Sequence, residues 1–478
     1  MRHDMFFQNS HFLNENNKSL ALTFNDLKYS YANLLKKANR YQAFYLRNNI
    51  NRLLLISNNS PEVIFAIVGA ILSKVTFCVV QPSRGNSYIQ YIYDDLRPDI
   101  VLCECSSNTE FLFETINIAE PLMGKNKSEA HSKNSRNENS FACVLYTSGT
   151  TGMPKAVWET YDSMYFIIQT MNDLLNHTER DCFINVLSLS YSYGLYQFLS
   201  SFYCGGHFVI GNFFQLRNYL SQGNEKSATC VSLVPSMFIA ALKTNQFENI
   251  DLTNVRYITI AGDYLQPKYI EEFMRINQSV FIVPMYGMTE CTRIAVMPIN
   301  NSKLIKEKLL AGSCGKPLPN TTVSIMNSNG KCMPPYQVGE IAVKGLNVMI
   351  NGTEKDQGLF YTGDYGYIDE DGFLYFSSRS NDIIKRNGVR ISPKEIEQLF
   401  LNRFEEIRIA VVGIANEILG EAVFAYIADA DNLLQEIESF SKTLPNNVRP
   451  DQVVFCQDIP LSINGKTDRR ILRQKGGV

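Results

Sequence analysis

Apolar residues recur at helical spacing through Leu27–Leu46, where Leu34, Leu35, Ala38, Tyr41 and Phe44 fall on one face. Two short apolar runs follow, Leu53–Ile56 and Thr76–Val80, on either side of a helical stretch that starts at Pro61. Strand, helix and strand in that order predict a parallel sheet. Gly124–Ser140 is polar and free of large apolar residues, which predicts an exposed connector, and a strand over Phe141–Thr147 follows at once. Further on the pattern predicts a strand at Tyr257–Ala261, a helix at Pro267–Ile276 and a strand at Val280–Pro284. Gly315–Tyr375 reads as short strands and turns. A helix at Pro393–Phe404, a strand at Ile407–Gly413, a helix at Asn432–Thr443 and a strand at Gln452–Cys456 make a final α+β unit of about 100 residues. Its boundary is expected near Ser378–Asn381. No repeat with a period of about 20–50 residues is visible.

Composition narrows the class. The 478 residues are about three domains' worth of chain, and a 45% hydrophobic share supports a large core and excludes a disordered chain. Lys plus Arg total 45 against 47 Asp plus Glu, a net charge of −2. That leaves no basic field for a nucleic acid and no polybasic tail for an anionic membrane. The start, MRHDMFFQNSHFLNENN, has no apolar core of a signal peptide. Val63–Ser73 is apolar, but Lys74 stops it short of the roughly 20 residues a membrane span needs. Cys182–Leu216 has no Asp, Glu, Lys or Arg, yet its Asn, Ser, Gln and His residues make it read as buried strands and turns. The 11 cysteines include no Cys-x-x-Cys, so the reading is reduced thiols in a soluble cytoplasmic enzyme.

The strongest local signal is LYTSGTTGMPK, residues 145–155. A strand runs into a loop where Gly149 and Gly152 let backbone N–H groups approach a polyanion. Thr147, Ser148, Thr150 and Thr151 add donors, and Lys155 adds charge. The spacing is not that of a Walker A loop. Taken alone, the same composition would also suit a flexible turn.

The order of residues in this segment resembles the phosphate loop of the adenylate-forming superfamily, which holds acyl-CoA synthetases, peptide-synthetase adenylation domains and luciferases. Four further segments are similar to that family's motifs and stand in its order: YGMTE at 286–290, YTGD at 361–364, RSNDIIK at 379–385 with RISPKEIE at 390–397, and NGKTDR at 464–469. The resemblance runs from about Leu27 to Arg470. It implies an α/β fold: a large N-terminal AMP-binding domain, residues 1–378, of two α/β subdomains plus a β-barrel-like subdomain, and a small mobile C-terminal α+β domain, residues 379–478. The implied cofactors are ATP and Mg²⁺.

Adenylation is attack of a carboxylate oxygen on the α-phosphorus of ATP with loss of pyrophosphate. Both reactants are anions, so catalysis is mostly positioning and charge neutralisation. The resemblance gives the catalytic roles to Lys466, Glu290 and Thr147. ATP or AMP would be held by Thr147, Ser148, Gly149, Thr150, Thr151, Gly152, Lys155, Gly262, Asp263, Tyr286, Gly287, Thr289, Asp364, Arg379 and Arg390. Asp364 can accept from ribose hydroxyls, but out of context is a turn aspartate. Tyr286 can stack on adenine or fill a core. Glu290 is a hard oxygen ligand for Mg²⁺ or a residue favouring a helix start. Lys466 can bridge the carboxylate and the α-phosphate, or be a solvated lysine. Arg379 and Arg390 fit phosphate or ribose oxygens, or surface ion pairs. In the family the C-terminal domain serves twice: Lys466 faces the site for adenylation, then a rotation brings in the loop around Gly388 for thioester formation. The pivot there is usually Asp or Lys; here it is Asn381, a residue tolerant of unusual backbone angles.

The acid pocket maps onto Ser192, Tyr193, Tyr196, Ser232, Thr259, Ala261, Met285, Arg293 and Ile294. Amino-acid-activating domains usually carry Asp where Ser192 stands, so a standard α-amino acid is disfavoured. Many acyl-CoA synthetases carry His where Tyr191 stands. The hydroxyl-rich wall favours a small polar, hydroxylated or aromatic acid over a long fatty chain. Arg293 needs a partner if buried: an acidic side chain of the fold, or a polar or anionic group on the substrate. NGKTDR is closer to the loop of stand-alone adenylation domains than to the S-G-K form frequent in CoA ligases. The main expectation is therefore transfer to the phosphopantetheine thiol of a separate acyl or peptidyl carrier protein, with CoA as the alternative acceptor. A non-catalytic binding paralogue is a remote third reading, since Lys155, Glu290, Asp364 and Lys466 are all present.

Overall fold

The structure, a computed structural model, describes residues 16–104, 111–119, 121, 141–148, 154–221, 228–349, 354–355, 358–379, 382–386, 389–404, 407–430, 432–446, 448–461 and 467–476. The connector expected at Gly124–Ser140 lies outside them. The chain divides into two compact units, Met1–Thr322 with Val343–Phe360, and Val323–Ala342 with Tyr361–Val478. The boundary expected near 378–381 falls inside the second unit.

The first unit is built on two mainly parallel sheets. In the smaller, the order is Ile116–Asn117, Ile100–Cys103, Arg52–Ile56, Thr76–Val80, Phe141–Ser148 and Pro154–Thr160. All but the last are parallel, as the βαβ pattern predicts, and Pro154–Thr160 returns antiparallel. The helix Pro61–Leu72 starts where its sequence says it should: Ser60 accepts from the Val63 N–H, and Pro61 occupies the first turn, where no N–H is needed. Its near-complete burial explains the apolar run, which is core and not membrane span. Gly69 lets this helix approach the helix Tyr31–Arg47, since a Cβ there would come 2.6 Å from Tyr41 Cβ. That second helix begins later than expected. Leu27–Ser30 is a strand, Ser30 caps the helix by accepting from Asn33, and Tyr45, not Phe44, joins the buried stripe.

The larger sheet has nine strands in the order Lys316–Pro317, Ala295–Val296, Phe281–Tyr286, Tyr257–Ile260, Cys230–Leu233, Cys182–Asn185, His207–Ile210, Leu20–Phe24 and Leu27–Ser30. The chain runs from Cys182–Asn185 outward to His207–Ile210, then back to Cys230–Leu233 on the other flank. Such a reversal opens a crevice at the carboxyl ends of parallel strands. Cys182–Leu216 is not all strands and turns: Ser192–Cys204 is a helix. It is buried almost throughout, its Gln197, Ser200 and Ser201 included, so no amphipathic stripe marks it in the sequence.

The second unit contains most of a five-stranded sheet, where a barrel-like subdomain is expected. Leu359–Ile368 pairs antiparallel with Leu374–Arg379. It also contains the C-terminal α+β part. There Arg408–Asn416 and Gly420–Ala428, nine residues each, form an antiparallel hairpin over a core of Ile396, Phe400, Val411, Val423 and Ile437. No described helix is long and apolar enough to cross a membrane, and none of the ten described cysteines is in a disulfide.

Candidate active site

Thr147, Ser148 and Lys155 sit on two paired antiparallel strands. Thr147 lies opposite Lys155 and Ser148 opposite Pro154. Gly149, Thr150, Thr151 and Gly152 are outside the described residues, but the strand ends on both sides of them are paired. Thr147 is half-buried and Lys155 exposed. Tyr146, one residue earlier, anchors the strand by donating to Asp95 at 2.7 Å.

The adenine candidates lie at carboxyl ends of parallel strands. Gly262 follows Tyr257–Ile260 with φ +99°, a conformation that suits glycine, and is exposed. Asp263 is exposed and accepts the Tyr264 N–H at 2.8 Å. Tyr286 ends its strand and is buried, paired with Ala295. Gly287 is required by close approach: a Cβ there would stand 2.6 Å from the Arg293 nitrogen. Met288 and Cys291 exchange backbone hydrogen bonds, and the Glu290 carbonyl accepts from Met349 at 2.9 Å. This turn leaves Thr289 and Glu290 half-exposed. No cluster of three or more His, Cys, Asp or Glu among the described residues could hold a metal. A lone carboxylate such as Glu290 fits Mg²⁺, which takes one or two protein carboxylates and fills its shell with phosphate oxygens and water.

Of the acid-pocket candidates, Tyr193, Thr259, Ser232 and Arg293 lie together. The Tyr193 hydroxyl donates to Thr259 Oγ1 at 2.8 Å, and Thr259 lies 2.9 Å from Ser232 Oγ. The half-buried Ser192 opens the helix Ser192–Cys204, and Tyr193 follows it. Ala261, Met285 and Ile294 are buried. The Arg293 guanidinium stands 4.9 Å from the Tyr193 ring centre. Burial presses its pKa down, opposed by Tyr193, Tyr196 and Glu159. Its backbone is left-handed at φ +58° and is held there by Asn347, whose Nδ2 donates to the Arg293 carbonyl at 2.9 Å.

Glu159, Cys143, Asn347 and Arg84 are members of this region that the motifs do not flag. Glu159 is wholly buried; Tyr196 donates its hydroxyl to one carboxylate oxygen and Cys143 its thiol to the other, at 3.3 Å. Burial pushes the Glu159 carboxyl up to about 7, against the hydrogen bonds from Tyr196 and Cys143 and the Arg293 charge. The available signal was strand alternation: Glu159 shares the inward phase of Val157. Arg84 hydrogen-bonds the Tyr191 hydroxyl and lies 5.1 Å over the Tyr88 ring.

In the second unit, Asp364 and Arg379 face each other in strand register, with Arg379 Nε 3.6 Å from Asp364 Oδ1. Asp364 is buried and Arg379 mostly exposed. Arg390 lies opposite Lys385; its side chain is outside the described residues. Asn381 and Lys466 are also outside them. Their flanks are fixed. Asp382 and Ile383 both donate to the Arg379 carbonyl, and Asp382 accepts from Arg473 at 3.0 Å. The loop carrying Lys466 is closed at its base by the Leu461–Thr467 bridge and by Asp468 N–H donating to the Pro460 carbonyl. Arg469 then pairs with Glu397 at 2.6 Å.

A model of the AMP-binding enzyme family matches residues 10–350. The 2-succinylbenzoate–CoA ligase of Bacillus subtilis is 28% identical over 425 residues, 85% of each chain. The 4-hydroxybutyrate–CoA ligase 1 of Metallosphaera sedula is 28% identical over 439 residues, 83% of this chain and 76% of its own. Among solved structures, ATP-bound MatB from Rhodopseudomonas palustris superposes with a TM-score of 0.87 at 22% identity, covering 99% of both chains. MenE from Bacillus subtilis with an acyl-adenylate gives 0.83 at 24%, covering 98% and 97%.

Proposed function

The chain belongs to the AMP-binding enzyme family, and from that premise we propose that it activates a small polar or aromatic carboxylic acid with ATP and Mg²⁺ and passes the acyl group to the thiol of coenzyme A. In the first step a carboxylate oxygen attacks the α-phosphorus, giving an acyl-adenylate and pyrophosphate. In the second a thiolate attacks the acyl carbon, giving a thioester and AMP. The observation that carries CoA as acceptor is that curated relatives matching most of this chain are named CoA ligases. It outweighs the carrier-protein reading drawn from NGKTDR.

The residue roles follow the motifs. The hairpin end at Thr147, Ser148 and Lys155, with Gly149–Gly152, holds phosphates. Gly262, Asp263, Tyr286, Gly287 and Thr289 hold adenine. Asp364 takes the ribose hydroxyls, with Arg379 and Arg390 beside them. Glu290 ligates Mg²⁺, and Lys466 neutralises charge on the transferring group. Residues 379–478 act as the mobile lid, pivoting at Asn381. The free state of the described cysteines supports work in the reducing cytoplasm.

The test is carboxylate-dependent ATP–pyrophosphate exchange over a library of acids, followed by mass detection of the thioester with CoA and, separately, with a phosphopantetheinylated carrier protein. Exchange with no acid would sink the ligase reading. Carrier acylation without CoA thioester would restore the carrier as acceptor.

A further inference from the structure

Arg293 is a buried cation whose charge no contact among the described residues neutralises. It is 6% exposed, and its enclosed Nε has no hydrogen-bond partner among the described residues. The Tyr193 ring, 4.9 Å away, offers a π face but no acceptor for a guanidinium N–H. Asn347 engages the Arg293 carbonyl, not its side chain. Glu159 feels the Arg293 charge but makes no ion pair or hydrogen bond with it; its oxygens accept from Tyr196 and Cys143. An arginine buried without an anion is costly, and this one also holds a left-handed backbone, which non-glycine residues adopt at a cost. Asn347 nonetheless holds its carbonyl, and Gly287, lacking a Cβ, leaves the room its backbone occupies. Strain over-determined by its surroundings is characteristic of ligand sites.

Its location says which ligand. Arg293 stands three residues after Glu290 and beside Tyr193, which leads to Thr259 and Ser232, in the wall mapped as the acid pocket. The carboxylate being activated belongs at the nucleotide. An anion on Arg293 is therefore a second one. We propose that the acid activated by this enzyme is a dicarboxylic acid, whose non-reacting carboxylate is received by Arg293. This rests on the ligase reading above. The guanidinium fork suits a carboxylate and is already desolvated, so the substrate completes a pair whose arginine is held in place before binding.

The experiment pairs acids of equal length: succinate with butyrate, glutarate with valerate, adipate with hexanoate, and phthalate with benzoate. ATP–pyrophosphate exchange is run with the full chain, and binding of the same acids is measured by calorimetry with a non-hydrolysable ATP analogue. The expected result is a dicarboxylate favoured over its partner by at least about 30-fold in kcat/KM, the low end for a buried charge pair. In Arg293→Met the ratio of dicarboxylate to monocarboxylate falls by a similar factor, and Arg293→Lys keeps part of it. The wild-type ranking needs no variant, so a folding defect in Arg293→Met leaves the test intact. Monocarboxylates preferred throughout by the wild type would overturn the proposal and leave the ligase reading standing. Arg293-dependent binding of a dicarboxylate without exchange would do the reverse. Neither binding nor exchange of any dicarboxylate would overturn the proposal as well.

Discussion

Glu159→Gln is expected to remove a loss of stability that the wild-type protein suffers as pH rises from about 4.5 to 8. Glu159 is wholly buried between Cys143 on the neighbouring strand and Tyr196 on the helix Ser192–Cys204. Burial raises its carboxyl from 4.5 to about 7. Between those values the native protein keeps a proton that the unfolded chain has released. Stability from this group is therefore fully present below about 4.5 and is lost as pH climbs through 7. At about 1.36 kcal/mol per pKa unit, the total is about 3 kcal/mol, with the bonds from Tyr196 and Cys143 already included in the shift. Glutamine keeps the shape, stays neutral and accepts from Tyr196, so its curve lacks that slope. His177 works in the opposite sense. Burial lowers it from 6.5 to about 3, so stability falls as pH drops below 6.5, and the two slopes partly cancel in the wild type. Subtracting variant from wild type isolates Glu159. The assay is urea unfolding at pH 4.5, 5.5, 6.5, 7.5 and 8, scored by the midpoint. Parallel wild-type and variant curves would refute the reasoning, because Glu159 would then titrate alike folded and unfolded.

Three further outcomes are expected of the proposed reaction. Lys466→Ala should lose about 3–4 kcal/mol of adenylation, the scale of a donor to developing charge, while sparing transfer from a supplied acyl-adenylate; an equal fall in both half-reactions counts against two conformations of the lid. Glu290→Gln should weaken the Mg²⁺ dependence of pyrophosphate exchange, and an unchanged metal titration removes Glu290 from the metal role. Asn381→Pro fixes φ near roughly −65°, so it should stall thioester formation and leave adenylation nearly intact; normal transfer moves the pivot elsewhere.

The segments proposed to hold the nucleotide were legible because they are local. A phosphate loop needs glycines, hydroxyls and a strand leading into it, and all of those lie within residues 145–155. The βαβ alternation around Pro61 was legible for the same reason, since strand and helix periods show within a few residues. The helix Ser192–Cys204 was not, because burial on nearly all sides erases the periodic contrast. Leu27–Ser30 continues a helical-looking pattern, yet it pairs with Leu20–Phe24 as an antiparallel edge, a choice made by the sheet.

The pocket divides in the same way. Mapping from the family motifs grouped Tyr193, Ser232, Thr259 and Arg293 in one proposed wall. It could not say what Arg293 meets. That depended on Glu159, 37 residues before Tyr196, being held by Tyr196 and Cys143, and on Asn347 gripping the far side of the turn. Partners of buried charges come from distant strands that only the folded sheet brings together. Desolvation, which raises Glu159 and leaves the Arg293 Nε without an acceptor, exists only once those strands have excluded water.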